Sequence, residues 1–107
     1  MLLTVVQTHL FQLAAADIWT PDDLDDLVDW MAAHSPDGDV IPQSGGLRKI
    51  RWQVRGRGKR GGARLVYYTI KANGEIWLLM AYTKAKFDNL PLPFLKELKN
   101  AVQTAKK

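Results

Sequence analysis

The residues of this chain that could do chemistry are mainly lysines and arginines, and they are concentrated in one stretch. Residues 47–68 contain eight of them in 22 positions. Lys49 and Arg51 alternate with apolar residues, as on one face of a strand, and Arg64 begins the next strand. Lys84 follows a third strand. If these strands are neighbours, the four cations lie on one side of a sheet, where they can hold several phosphates at once.

A glycine-rich basic segment, "RGRGKRGG" at 55–62, joins the first two of these strands. Glycines let the backbone approach a phosphate closely, and the planar guanidinium of arginine suits bidentate phosphate contacts. Aromatic rings near such a surface can stack on bases, although core packing is favoured for Trp52 and Tyr67 and stays open for Tyr68 and Tyr82. The predicted RNA-binding residues are Arg48, Arg55, Arg57, Lys59, Arg60, Tyr68 and Lys86.

Residues that usually carry acid–base or metal chemistry are few. His9 and His34 lie near predicted helix ends, and we interpret them as surface or helix-end residues. The aspartates within 22–29 are interpreted as a solvated helix face, because they lack the ligand spacing of a metal site. No Ser/His/Asp arrangement, P-loop or dinucleotide fingerprint is present. The sequence therefore predicts neither a metal site nor a cofactor.

A site built from arginines and lysines can still cleave RNA. The 2′-hydroxyl of RNA can attack the adjacent phosphorus and give a 2′,3′-cyclic phosphate, and this reaction needs no metal ion. Its barrier falls when the RNA is held in line and the added negative charge of the transition state is neutralised.

Charge is divided unequally along the chain. Residues 1–47 have a net charge of −8 and residues 48–107 a net charge of +12, which gives +4 overall. This asymmetry predicts a basic face for a polyanion and an acidic face turned away from it. A well-solvated surface without a partner is the alternative.

Length and composition predict one domain over residues 1–107, with enough apolar residues (47%) for a core. The chain has no cysteine, which excludes disulfides and thiolate sites and is usual for a cytoplasmic protein. No apolar run approaches the roughly 20 residues needed to span a bilayer, so no membrane association is expected.

The sequence predicts an α+β domain with a mostly antiparallel sheet and the order β-α-α-β-β-β-α. The second helix has Thr20 as its N-cap and Pro21 in its first turn, and an aspartate-rich outer face. The last two strands are nearly continuously apolar, which predicts burial on both faces. The predicted strands cover 2–7, 47–54, 63–71 and 75–82, the first helix covers 9–16, a loop covers 40–46, and an Asn-Gly hairpin turn covers 72–74.

Two segments resemble a known family. They are "GDVIPQSGGLRKIRWQVRGRGKRGGARLVYY" at 38–68 and "WLLMAYTKAKFDNL" at 77–90, followed by a C-terminal helix. They are similar to the HigB-like branch of the RelE superfamily, the toxins of bacterial type II toxin–antitoxin modules. The resemblance implies a RelE-like fold and a ribosome-dependent mRNA endonuclease that acts in the decoding site and arrests translation. It also implies a cognate antitoxin, typically a helix-turn-helix DNA-binding protein, that neutralises the toxin.

The resemblance assigns roles to individual residues. The paired basic residues of the family match Lys49 and Arg51, its strand-opening arginine matches Arg64, and its basic residue after the last strand matches Lys84, with Lys86 as a further match. Where RelE has a C-terminal tyrosine, this sequence has Leu90. Tyr82 or Tyr68 is then the hypothesis for the residue that takes part in proton transfer.

Two other functions remain as alternatives. A ParE-like member of the same superfamily poisons DNA gyrase, but such proteins usually lack the basic residues found at 49, 51, 64 and 84. A catalytically inert nucleic-acid-binding domain would need only the basic face.

Overall fold

The structure is a computed structural model and describes residues 2–53, 62–84, 86 and 89–105. Within these residues, two helices follow the first strand, and a third helix follows the last strand. The strands are β1 (Thr4–Gln7), β2 (Asp39–Val40), β3 (Arg48–Gln53), β4 (Gly62–Ile70) and β5 (Glu75–Thr83). The helices are α1 (His9–Ala16), α2 (Pro21–His34) and α3 (Leu92–Ala105).

The described strands form one sheet in the order β1-β5-β4-β3-β2. Strand β1 is parallel to β5, and the other neighbouring strands are antiparallel. The predicted α+β fold with a mostly antiparallel sheet is confirmed. The three strands that carry the predicted site, β3, β4 and β5, are neighbours as that prediction requires.

Strand β2 differs from the sequence prediction, which places a loop over 40–46. Asp39 and Val40 pair with the beginning of β3. A two-residue strand has no alternating pattern of its own, so the backbone of β3 decides its pairing. The rest of the segment is a loop, in which Gly45 and Gly46 have φ angles of 80° and 99°.

Different helices cover the two faces of the sheet. Helices α1 and α2 pack on one face, and α3 packs on the other. The first core contains Phe11, Leu27, Met31, Leu65, Tyr67, Ile76 and Leu78, and the second contains Leu47, Val66, Leu79, Tyr82, Leu95, Leu98 and Val102. Because β4 and β5 contribute to both cores, the predicted burial on both faces is confirmed.

A β-bulge between β4 and β5 adds to the second core. Val66 pairs with Met80, whereas the next residue, Tyr67, pairs with Leu78, so Leu79 has no partner in the ladder. As a result Leu79 and Met80 both lie on the α3 face.

Threonines begin both N-terminal helices. The hydroxyl of Thr20 accepts the N–H of Asp23 at 3.2 Å, and Pro21 is the first residue of α2, as predicted. Thr8 caps α1, and its hydroxyl also donates to the carbonyl of Leu78 at 3.0 Å. This second contact attaches α1 to β5.

The turn between β4 and β5 is at the predicted position but has a different form. Residues Lys71–Asn73 form a 3₁₀ turn, and only the following Gly74 has a positive φ, of 66°. The predicted Asn-Gly turn would need positive φ angles at both residues.

Candidate nucleic-acid interface

Three predicted catalytic residues form one row across the sheet. Arg51 on β3 pairs with Arg64 on β4, and Arg64 pairs with Tyr82 on β5. Directly paired residues share a face, and their Cβ atoms lie about 5 Å apart. Ile50 and Trp52, on either side of Arg51, pack toward the core under α1 and α2. The arginine row (Arg51, Arg64 and Tyr82) therefore lies on the α3 face.

Lys49 lies on the same face, two residues along β3 from the row. It pairs with Val66, which in turn pairs with Met80. Val66 is buried in the core under α3, whereas Lys49 is partly exposed. Lys49 thus stands at the boundary between the half of this face that α3 covers and the half that holds the row.

Gly62, at the beginning of β4, contacts both arginines of the row. It pairs with Gln53 and so lies diagonally across from Arg51. The Cγ and Cδ atoms of Arg51 lie 2.5 Å from the position that a Cβ atom of Gly62 would take. The Gly62 carbonyl accepts a hydrogen bond from Nη1 of Arg64 at 3.2 Å. The sequence offered no signal for this glycine beyond its place at the end of a glycine-rich segment.

Tyr82 ends the row on β5 and is only 3% exposed. Burial raises the pKa of its phenol above the ordinary value of 10.0, and the charge of Arg64 offsets part of that rise. The phenol therefore keeps its proton at neutral pH. In that form it can donate a hydrogen bond but is not a base.

Two predicted cations lie just beyond β5. Thr83 ends β5 and pairs with Ala63, so Lys84 follows at the level of Gly62. The backbone N–H of Lys86 donates to the carbonyl of Thr83 at 3.0 Å, which closes a turn. Both lysines are exposed. They lie at the same end of β5 as the arginine row.

The three strands bring almost no negative charge to this face. Strands β3 and β4 contain no acidic residue, and the one in β5, Glu75, pairs with Ile70 at the end of the strand away from the row. The indole Nε1 of Trp77 donates to Oε1 of Glu75 at 3.2 Å. No carboxylate of these strands therefore neutralises the arginine row.

Arg48 lies on the opposite face, away from the row. It pairs with Tyr67, and its Nη1 donates to the carbonyl of Gly38 at 2.7 Å. The N–H of Gly38 donates to the Tyr67 hydroxyl at 2.7 Å, and that hydroxyl donates to the carbonyl of Pro36 at 2.8 Å. In the structure Arg48 thus holds the segment that follows α2.

Tyr68 lies on the α3 face but at a distance from the row. It is four residues along β4 from Arg64, which corresponds to about 13 Å of strand. Nζ of Lys99 lies 4.5 Å from the centre of its ring and also donates to the carbonyl of Gly45. Lys99 therefore occupies one face of the ring that was predicted to stack on a base.

The four predicted RNA-binding residues of the glycine-rich segment, Arg55, Arg57, Lys59 and Arg60, lie outside the described residues, as does Val54.

The histidines are not near the row. The ring of His34 stacks on Trp30 with centroids 4.4 Å apart, at the end of α2. His9 begins α1 and is exposed. Within the described ranges, no group of three His, Asp or Glu residues could hold a metal ion. The helices of these ranges are too short or too polar to cross a membrane.

Comparison with known proteins identifies the type of fold. No family model matches the sequence. Among solved structures, the chain is similar to a double arginine-to-alanine mutant of the E. coli toxin RelE in the free state, with a TM-score of 0.58. The chain has a RelE-like fold. The match covers 82% of this chain and 90% of the RelE chain, at 12% sequence identity. At that identity the likeness concerns the fold, and the predicted fold is confirmed.

Proposed function

We propose that this chain is the toxin of a type II toxin–antitoxin module, of the HigB-like branch, and that it cleaves translated mRNA on the ribosome. The observation that carries the proposal is the arginine row on a RelE-like sheet. Two arginines, Arg51 and Arg64, are directly paired there. The strands around them provide no carboxylate to neutralise them. The sequence motifs at 38–68 and 77–90 support the same assignment.

The proposed reaction uses the RNA itself as the nucleophile. The 2′-oxygen bonds to the adjacent phosphorus and gives up its proton to water, while the bond from phosphorus to the 5′-oxygen breaks and that oxygen takes a proton from the site. The phosphoryl oxygens gain negative charge in the transition state. Arg51 and Arg64 neutralise this charge with forked hydrogen bonds, which is the kind of stabilisation that contributes most in such sites. This route needs no metal ion.

The other predicted residues complete the site. Lys49 and Lys84 hold the phosphate from two sides, and Tyr82 acts as a proton donor because its phenol stays neutral. Lys86 and the basic residues of the glycine-rich segment contact RNA away from the scissile bond. The only ionisable group of the row other than the arginines is this tyrosine, so alignment of the RNA accounts for much of the rate.

The need for alignment explains the proposed partners. The decoding site of the ribosome holds mRNA in a fixed path, which supplies the in-line geometry that the chain does not provide alone. A cognate antitoxin of the helix-turn-helix type would neutralise the toxin in the cytoplasm.

The test is to express the protein in bacterial cells and map mRNA 5′ ends, for the wild type, Arg64→Ala and the control Lys71→Ala. Lys71 is exposed and follows β4 at the end away from the row, so its replacement removes the same charge without touching the site. We expect codon-phased cleavage in the wild type and in Lys71→Ala and none in Arg64→Ala. Growth arrest with intact mRNA and a DNA-damage response would instead indicate a gyrase poison. Absence of both arrest and cleavage would indicate a simple nucleic-acid-binding domain.

A further inference from the structure

We propose that Gly62 is a positioning residue for the arginine row, an inference that rests on the proposed function. The glycine acts on Arg51 through the side chain that it lacks, and on Arg64 through its carbonyl oxygen. It does not itself touch the RNA.

A side chain at position 62 would displace Arg51. A Cβ atom at Gly62 would lie 2.5 Å from Cγ and Cδ of Arg51 and 3.2 Å from its Nε. Nonbonded carbon atoms are optimally about 3.5–4.0 Å apart, so Arg51 could not keep this conformation beside a Cβ atom at position 62. The clash is with the middle of the arginine side chain, so a rotation at its tip would not relieve it. An alanine at this position would therefore move the whole guanidinium group.

The backbone does not explain why this residue is a glycine. The positive φ angles of the described glycines are at Gly45, Gly46 and Gly74, and Gly62 is not among them. Gly62 lies in β4 and pairs with Gln53 as an ordinary strand residue. Any residue can adopt that conformation, so alanine would fit the backbone. What alanine would disturb is the place of Arg51.

The contacts of Gly62 also affect the repulsion between the two arginines. Arg51 and Arg64 are directly paired across two strands, and like charges at such positions repel each other. The stem of Arg51 lies over Gly62, and Nη1 of Arg64 donates to the Gly62 carbonyl at 3.2 Å. The glycine thus leaves room for the stem of Arg51 and accepts a hydrogen bond from Arg64, so the two side chains lie beside each other at the start of β4.

The test is a double-mutant cycle with Gly62→Ala and Arg51→Ala, measured as single-turnover cleavage of mRNA on programmed ribosomes. We expect Gly62→Ala alone to lower the rate by about 10–100-fold, as for a small displacement of a reacting group. In the Arg51→Ala background it should have no further effect, because the atoms that clash are gone. The melting temperature of Gly62→Ala should be unchanged or higher, since replacing glycine where the backbone permits it stabilises a protein. Equal losses in both backgrounds, or a fall of many degrees in melting temperature, would overturn the proposal.

A second measurement keeps this proposal separate from the proposed function. Absence of cleavage by the wild type would count against the function but would not test the role of Gly62. The Nε–H signal of Arg51 in a ¹⁵N-correlated NMR spectrum, assigned with Arg51→Lys, reports on that role directly. We expect Gly62→Ala to shift the Arg51 signal strongly and Lys71→Ala to leave it in place. An unmoved Arg51 signal in Gly62→Ala would show that the glycine does not position the arginine.

Discussion

The sheet face that carries α3 has two halves of opposite character, although the same strands build both. In the covered half, Val66 and Leu79 pack against Leu98 and Val102 of α3. In the other half, Arg51 and Arg64 stand at paired positions, with Tyr82 buried beside them. Two residues along β4, from 64 to 66, separate a paired cation from a fully buried valine.

This difference indicates how the domain separates stability from function. The covered half buries apolar area and so contributes to the free energy of unfolding. The arginine row concentrates like charge, which opposes folding slightly; in the proposed function this charge binds the phosphate of RNA. Substitutions in the first half should therefore lower stability, and those in the second half should lower activity.

The largest effect on stability is expected for Leu98→Ala in the covered half. Leu98 is buried between α3 and the sheet, and its truncation leaves a cavity. We expect the free energy of unfolding to fall by about 2–5 kcal/mol, while cleavage per folded molecule stays close to that of the wild type. Denaturant unfolding and a titration of active protein measure the two quantities. A large loss of rate in the fully folded fraction would show that the halves are not independent.

A smaller loss of stability is expected for Arg48→Ala. Arg48 lies on the same strand as Arg51 but on the opposite face of the sheet. Arg48 donates a charge-assisted hydrogen bond to the Gly38 carbonyl from the other face of the sheet. Its loss should cost about 1.5–3 kcal/mol in unfolding free energy, with cleavage per folded molecule retained. If Arg48→Ala stayed fully stable but lost cleavage, Arg48 would belong to the RNA-binding surface, as the sequence predicted.

The smallest loss of stability at neutral pH is expected for Tyr82→Phe. Tyr82 lies at the border between the two halves. Burial raises the pKa of Tyr82 in the folded protein above the ordinary 10.0. The neutral phenol therefore favours folding fully below about pH 10, and this contribution is lost as the pH rises through the folded-state pKa. Wild-type stability should fall more steeply than that of Tyr82→Phe above pH 10. Tyr67, whose pKa burial also raises, contributes to the fall in both proteins.

The same tyrosine gives a test of its part in the reaction. The shapes of the pH–rate profiles of wild type and Tyr82→Phe should agree between pH 6 and pH 9, because a neutral phenol does not titrate there. Suppose instead that the wild-type rate rises or falls with pH in that range and that this change disappears in the variant. Tyr82 would then be a base with a lowered pKa, which contradicts the effect of its burial.

Much of this arrangement could be predicted from the alternation of residues. The pattern from Lys49 to Gln53 places Arg51 opposite Ile50 and Trp52, and the structure confirms it. The same pattern places Arg48 on the face of Ile50, and the structure confirms that placement. Contact of Arg48 with RNA stays a prediction.

Other features depend on contacts that no local pattern contains. The bulge at Leu79 and the cover of Lys99 over Tyr68 arise where α3 meets the sheet, from residues far apart in the chain. The short strand β2 exists only through pairing with β3. The contact of Gly62 with Arg51 depends on strand register, which a glycine-rich sequence specifies weakly.

The most direct test of the arginine row compares Arg64→Ala with Lys71→Ala as purified proteins. For each, the single-turnover rate of mRNA cleavage on programmed ribosomes and the free energy of unfolding are measured together. We expect Arg64→Ala to lose about 10²–10³-fold in rate and to keep its unfolding free energy within about 0.5 kcal/mol. We expect Lys71→Ala to match the wild type in both. Cleavage at the wild-type rate by a folded Arg64→Ala protein would contradict the proposed role of the arginine row.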